Sequence, residues 1–108
     1  MSAITAPELA LWQRGGLDFA LLDVRRTEKR RSDGDHIPGD RWLDPASWLD
    51  WKDSIATDRP AVVYCAHGHE ISQGLTAALR VIGVDARYLE GGIAAWRGVG
   101  GSVEAIGL

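Results

Sequence analysis

Val62-Val63-Tyr64-Cys65-Ala66-His67-Gly68-His69-Glu70-Ile71-Ser72-Gln73-Gly74 is an apolar run that ends in the chain's single cysteine and then turns polar. It reads as a buried strand, a tight loop and the start of a helix. A thiol at such a junction sits where loop amides and a helix N-terminus favour an anion. Cys65 is therefore the expected thiolate nucleophile. Downstream, Ile71, Leu75, Ala78, Leu79 and Ile82 recur at spacings of three and four up to Gly83. That pattern predicts an amphipathic helix over 71–83 that stops on glycine.

Two further apolar runs flank this unit. Phe19-Ala20-Leu21-Leu22-Asp23-Val24 reads as a strand covered on both faces and central in its sheet, and Ala86-Arg87-Tyr88-Leu89 as a third strand. Thr5-Ala6-Pro7-Glu8 has the form of a capping box, so a helix is expected from there to Gln13 or Arg14, stopped by Gly15-Gly16. Asp44 to Trp51 predicts a short helix with Trp48 and Trp51 on one face, and Arg41-Trp42-Leu43 a brief edge strand. A short helix carrying Ile93, Ala94 and Trp96 follows Gly91-Gly92. The charged stretch from Arg25 to Asp35 reads as a short helix or loop with a solvated basic face, and the glycine-rich tail from Gly98 carries no signal. Strands alternating with helices predict an α/β fold with a central parallel sheet and helices on both faces. In such sheets ligands sit beyond the carboxyl ends of the strands, where Cys65 is.

The 108 residues fit one domain spanning 1–108, with 45% hydrophobic and 25% charged residues. A net charge of −3 argues against nucleic acid and anionic membranes as partners. One cysteine allows no internal disulfide, and neither a secretory leader nor an apolar run near the ~20 residues of a membrane span is present, so the cytoplasm is the expected compartment.

Three motifs stand in order around the cysteine. Asp23-Val24-Arg25 followed by Glu28 resembles the D-V-R-x-x-x-E signature of the rhodanese-like, or sulfurtransferase, family. Gly34-Asp35-His36-Ile37-Pro38-Gly39 is similar to its G-H-I-P-G-A motif, with Asp35 inserted and Asp40 replacing the alanine. Tyr88-Leu89-Glu90-Gly91-Gly92-Ile93-Ala94-Ala95-Trp96 resembles its closing motif. The resemblance implies a single-domain rhodanese-like fold whose active-site loop starts at Cys65. It further implies that the thiolate takes a sulfane sulfur from a donor such as thiosulfate and holds it as a persulfide. A thiol or cyanide, or a thiol on a protein partner, would then remove it, with no metal or organic cofactor required.

The loop departs from the family pattern C-x-x-G-x-R-S. Cys65 and Gly68 agree, Glu70 stands at the arginine position, and serine comes one residue late at Ser72. The longer loop resembles those of rhodanese-related phosphatases and arsenate reductases, in which the arginine would fall at Ile71. Neither count supplies a guanidinium to grip an oxyanion, which disfavours phosphoryl chemistry and leaves sulfur transfer first. A catalytically weak binding or regulatory module is the alternative, with an oxyanion reductase or phosphatase behind it. The Cys-Ala-His-Gly-His-Glu loop is also similar to rhodanese-like domains of chromate-resistance proteins.

Ala66, His67, Gly68, His69, Glu70, Ile71 and Ser72 are thus the expected substrate-binding residues around catalytic Cys65. His67 and His69 read as residues at the mouth of the loop rather than metal ligands, because zinc sites draw on two separated pairs and only His36 stands elsewhere. Glu70 and Ser72 have an equally good structural use as caps of the following helix. Asp23 and Arg25 read either as crevice residues or as a buried supporting pair.

Overall fold

The computed structural model describes residues 2–107. Its strands are β1 (Ala3–Ile4), β2 (Ala20–Asp23), β3 (Asp35–His36), β4 (Arg41–Trp42), β5 (Ala61–Tyr64), β6 (Ala86–Leu89) and β7 (Glu104–Ala105). Its α-helices are α1 (Ala6–Arg14), α2 (Thr27–Asp33), α3 (Trp48–Trp51), α4 (Glu70–Val81) and α5 (Gly92–Gly98). Five strands form one parallel sheet in the order β1-β6-β5-β2-β4. The expected α/β architecture with a central parallel sheet is the one observed.

The sheet is covered on both sides. One apolar layer gathers Leu22, Val63, Trp51, Ile55 and Leu79, with Trp48, Ile71 and Leu75 packed against it. The other gathers Leu9, Leu21, Val62, Tyr64, Ile93 and Trp96. Val62 and Val63 thus face opposite layers, as the period of two along a strand requires, and all four residues of β5 are buried. The middle strand is β5, whereas the sequence suggested a central place for β2; β2 lies between β5 and β4. Cys65 is therefore held at the end of the strand with neighbours on both sides.

Local chemistry accounts for most element ends. Thr5 Oγ1 accepts from the Glu8 amide (3.2 Å) while Glu8 Oε1 accepts from the Thr5 amide (3.1 Å), which completes the capping box of α1. Helix α4 starts at Glu70, one residue earlier than expected, and ends at Val81; Gly83 (φ 96°) makes the following turn. Trp48 and Trp51 meet edge to face at 4.9 Å, and Trp51 is buried with its Nε1 donating to the Asp44 carbonyl (2.8 Å).

Strands β1, β3 and β7 had no sequence signal. Strand β1 is only two residues long, and it exists because β6 offers a parallel partner: the Glu90 amide donates to Ile4 O at 2.9 Å. The tail is ordered by two contacts. Trp96 Nε1 donates to Ser102 O (2.8 Å), and Gly101 lies so close to the Trp96 ring that a Cβ there would sit 2.2 Å from it. Beyond this turn β7 pairs antiparallel with β3, His36 opposite Glu104.

Candidate active site

Cys65 directly follows β5; the residue is 8% exposed and lines a cavity of about 520 Å³. Its Sγ lies 3.1 Å from Ser72 Oγ, which is itself fully buried one turn into α4. This contact exists because the six residues between them fold back, so that strand end and helix start share one corner.

The loop is shaped by glycines on both sides of a close backbone approach. Gly68 adopts φ 72°, and a Cβ there would stand 2.6 Å from the Gly91 amide nitrogen. A Cβ on Gly92 would stand 2.4 Å from Cys65 O. With nothing in the way, the Ile93 amide donates to Cys65 O (3.0 Å) and the Ala94 amide to Ala66 O (3.1 Å). The first turn of α5 thereby holds the loop carbonyls, using amides that a helix cannot satisfy internally. Gln73 Nε2 completes the support by donating to Gly68 O at 2.8 Å.

Helix α4 begins at the far end of this loop with its positive dipole end toward the site. No side chain caps it: His69 is the N-cap and makes no capping bond, Glu70 lies in the first turn, and Ser72 is spent on Cys65 and a long contact to His69 O (3.5 Å). Ser72 is therefore not the expected cap, whereas Glu70 makes no capping bond but stands in the first turn, where the helix dipole favours a carboxylate as expected.

The expected binding residues separate into two groups. Ala66, His67, His69, Glu70 and Ile71 line the cavity with Cys65. Gly68 is turned into the glycine pair of the β6–α5 connection, and Ser72 reaches the sulfur from within the protein. The two histidine rings are 6.4 Å apart and exposed, and among the described residues no three His, Cys, Asp or Glu side chains form a metal-binding group.

The opposite wall comes from Arg25, Arg26 and Lys29. Arg26 and Lys29, part of the expected solvated basic face, are exposed and also line this crevice. Folding brings α2 across from the cysteine loop because β2 and β5 are parallel neighbours, with Asp23 opposite Tyr64, so the segments leaving both strands emerge together. Sequence distance hid that adjacency.

Asp23 and Arg25 form a buried pair, and Arg25 also lines the crevice. Arg25 Nε and Nη2 donate to the two oxygens of Asp23 (3.0 and 2.8 Å), Nη1 to Asp33 (3.1 Å), and Nη2 also to Asp35 O (2.8 Å). Arg30 Nε adds a bond to Asp23 Oδ2 (3.0 Å). Burial works against the Arg25 charge, but the bonds and charge of Asp23 outweigh it and push the guanidinium pKa up. Its donors are committed to this scaffold, so Arg25 positions α2 and leaves Arg26, and Lys29 beside its single ion pair with Asp33, as the exposed cations of this wall.

Beneath the loop, Tyr64 OH donates to Asp40 Oδ2 (2.6 Å) and accepts from the Ile37 amide (3.2 Å), while Asp40 Oδ1 meets His36 Nδ1 at 2.8 Å. Burial, the charge of Asp23 and the bond to Asp40 push the Tyr64 pKa far up, so the phenol stays neutral. Asp40, where the family motif has alanine, thus ties the Ile37 turn to the strand that ends at Cys65.

Comparison with known proteins agrees with this geometry. The model of the rhodanese-like domain matches residues 5–98. The chain is 38% identical over 98 residues to the probable adenylyltransferase/sulfurtransferase MoeZ of Mycobacterium tuberculosis, a match covering 88% of this chain and 24% of that protein. It thus spans about a quarter of the length of that curated relative. Among solved structures, a rhodanese-like domain protein from Staphylococcus aureus superposes with a TM-score of 0.83 at 26% identity, covering 99% of this chain and 100% of the other. The thiosulfate sulfurtransferase from Pseudomonas aeruginosa shares the fold at a TM-score of 0.78 and 24% identity, over 96% of this chain and 19% of that one. With the motif order, the strand-end cysteine and the glycine-supported loop in one corner of the sheet, the chain belongs to the rhodanese-like domain family.

Proposed function

We propose that this chain is a sulfurtransferase that carries sulfane sulfur on Cys65. The observation that supports it most is the position of Sγ: at the end of the central strand, on the lining of an open crevice, and 3.1 Å from the buried Ser72 hydroxyl. The thiolate attacks the outer sulfur of a donor, the donor S–S bond breaks, and the leaving group departs with the electron pair, as sulfite when the donor is thiosulfate. A thiol or cyanide then attacks the terminal persulfide sulfur and regenerates the thiolate. Ser72 Oγ–H stands within reach of Sγ and can donate to it when it is the charged thiolate.

An anionic donor enters between the loop and α2, where Arg26 and Lys29 supply the positive charge that the loop lacks. The sulfurtransferase part of the relative's name supports this reading. A reducing cytoplasm is the compartment in which such a thiol cycles without being trapped as a disulfide. Intact mass after incubation with thiosulfate or an organic persulfide tests the proposal. The wild type should gain one sulfur and Cys65→Ser none, and a wild type that no donor loads overturns it.

Glu70, standing where the family loop carries arginine, favours a second reading, a rhodanese-like binding module with little turnover. Turnover with a small thiol acceptor, lost in Cys65→Ser, excludes it.

A further inference from the structure

The crevice above Cys65 is lined by residues of both charge signs that come from two different segments. Arg26 and Lys29 stand on the α2 side, and Glu70, the first residue of α4, on the loop side. Among the described residues Arg26 and Glu70 form no ion pair with any other side chain, and Lys29 shares only Asp33 at 3.1 Å with half of its side chain exposed. These residues line the same space as Cys65, where a substrate must lie to bring its sulfur to the thiol. The cavity, about 520 Å³, falls in the range of sites for organic ligands, about 300–1,000 Å³. A small inorganic ion such as thiosulfate leaves most of it to solvent and meets an opposing carboxylate.

From this arrangement we infer that the substrate handled at Cys65 is an organic persulfide bearing both an ammonium and a carboxylate, an amino-acid-type thiol persulfide. The inference rests on the sulfurtransferase reading. Its carboxylate lies toward Arg26 and Lys29 and its ammonium toward Glu70, with the persulfide directed at Sγ. The Cys65 thiolate attacks the terminal sulfur of R–S–S–H, the S–S bond breaks, R–S⁻ leaves with the electron pair, and Cys65–S–S–H remains. Donor and product thiol differ by one sulfur, and no outside oxidant or reductant enters. Glu70 is then a specificity residue: it weakens the site for a dianion and favours a donor that brings its own cation.

The test is a matrix of charges. Sulfur loading of Cys65 is timed by intact mass with persulfides of 3-mercaptopropionate (carboxylate only), cysteamine (ammonium only) and cysteine (both). Wild type is compared with Glu70→Gln and with the double variant Arg26→Gln/Lys29→Gln. Taking the ratio of wild type to variant for each donor cancels the leaving-group differences between the thiols. Glu70→Gln should slow cysteine and cysteamine persulfides about threefold, the fold-change of an exposed ion pair, without slowing the 3-mercaptopropionate compound. The double variant should slow the two carboxylate-bearing donors and spare cysteamine persulfide. Equal ratios across the three donors overturn the inference while leaving sulfur transfer intact. Failure of every donor, thiosulfate included, to load the wild type overturns both.

Discussion

The Sγ of Cys65 and the Oγ of Ser72 stand 3.1 Å apart, joining the end of the central strand to the first turn of the helix behind the loop. Both side chains are buried, so the hydroxyl competes with little water for the sulfur. A hydrogen bond to a charged group contributes about 1.5–3 kcal/mol. Ser72→Ala should therefore slow alkylation of Cys65 by iodoacetamide at neutral pH by roughly tenfold, with sulfur loading slowed in parallel. Alkylation as fast as in the wild type would leave Ser72 a packing residue only.

Gly92 permits the contact between α5 and the cysteine loop. With φ 61°, and a Cβ that would lie 2.4 Å from Cys65 O, Gly92→Ala meets both a strained backbone and a collision. The left-handed conformation alone costs about 1–2 kcal/mol for an alanine. Urea unfolding should show a loss of at least about 2 kcal/mol, and Cys65 should lose sulfur loading even where the variant remains folded. Unchanged stability would mean that the loop can yield without loss.

The Asp35–Arg97 pair, which ties β3 to α5, makes stability sensitive to acid. Arg97 Nε donates to Asp35 Oδ2 at 3.0 Å and Nη2 to Oδ1. The hydrogen bond from Arg97 lowers the Asp35 pKa below its ordinary value despite some burial. A depressed carboxylate pKa stabilises the fold fully above the unfolded value, about 3.9, and that contribution disappears as pH falls through the folded value. Arg97→Gln should cost about 1 kcal/mol near pH 6, and its difference from wild type should shrink as pH falls from about 4 to about 2. Urea titrations at several pH values measure this; a difference independent of pH would assign the loss to packing.

Much of the fold was legible because its signals are local. The Thr5–Glu8 capping box, the buried run through β5 and the three–four periodicity of α4 each depend on residues close in the chain, and each element formed within a residue or two of expectation. The strand-end position of Cys65 was legible for the same reason, since strand, cysteine, glycine loop and helix are consecutive. Strands β1, β3 and β7 were not, because two-residue strands have no period and exist only through partners far away in the chain.

The division at the site follows from the same physics. By itself the sequence determined an α/β rhodanese-like chain, a lone cysteine at a strand end and a loop without the arginine that would hold an oxyanion, all properties of residue type and short-range order. Only the tertiary structure decided which residues stand around that cysteine. Ser72 turned from a helix cap to a partner of the sulfur, the Gly91-Gly92 pair became the rest on which the loop lies, and Arg26 and Lys29 moved from an anonymous basic run to the crevice that Glu70 also lines. Parallel pairing of β2 with β5 does this, because it delivers the segments leaving two distant strands to the same edge of the sheet.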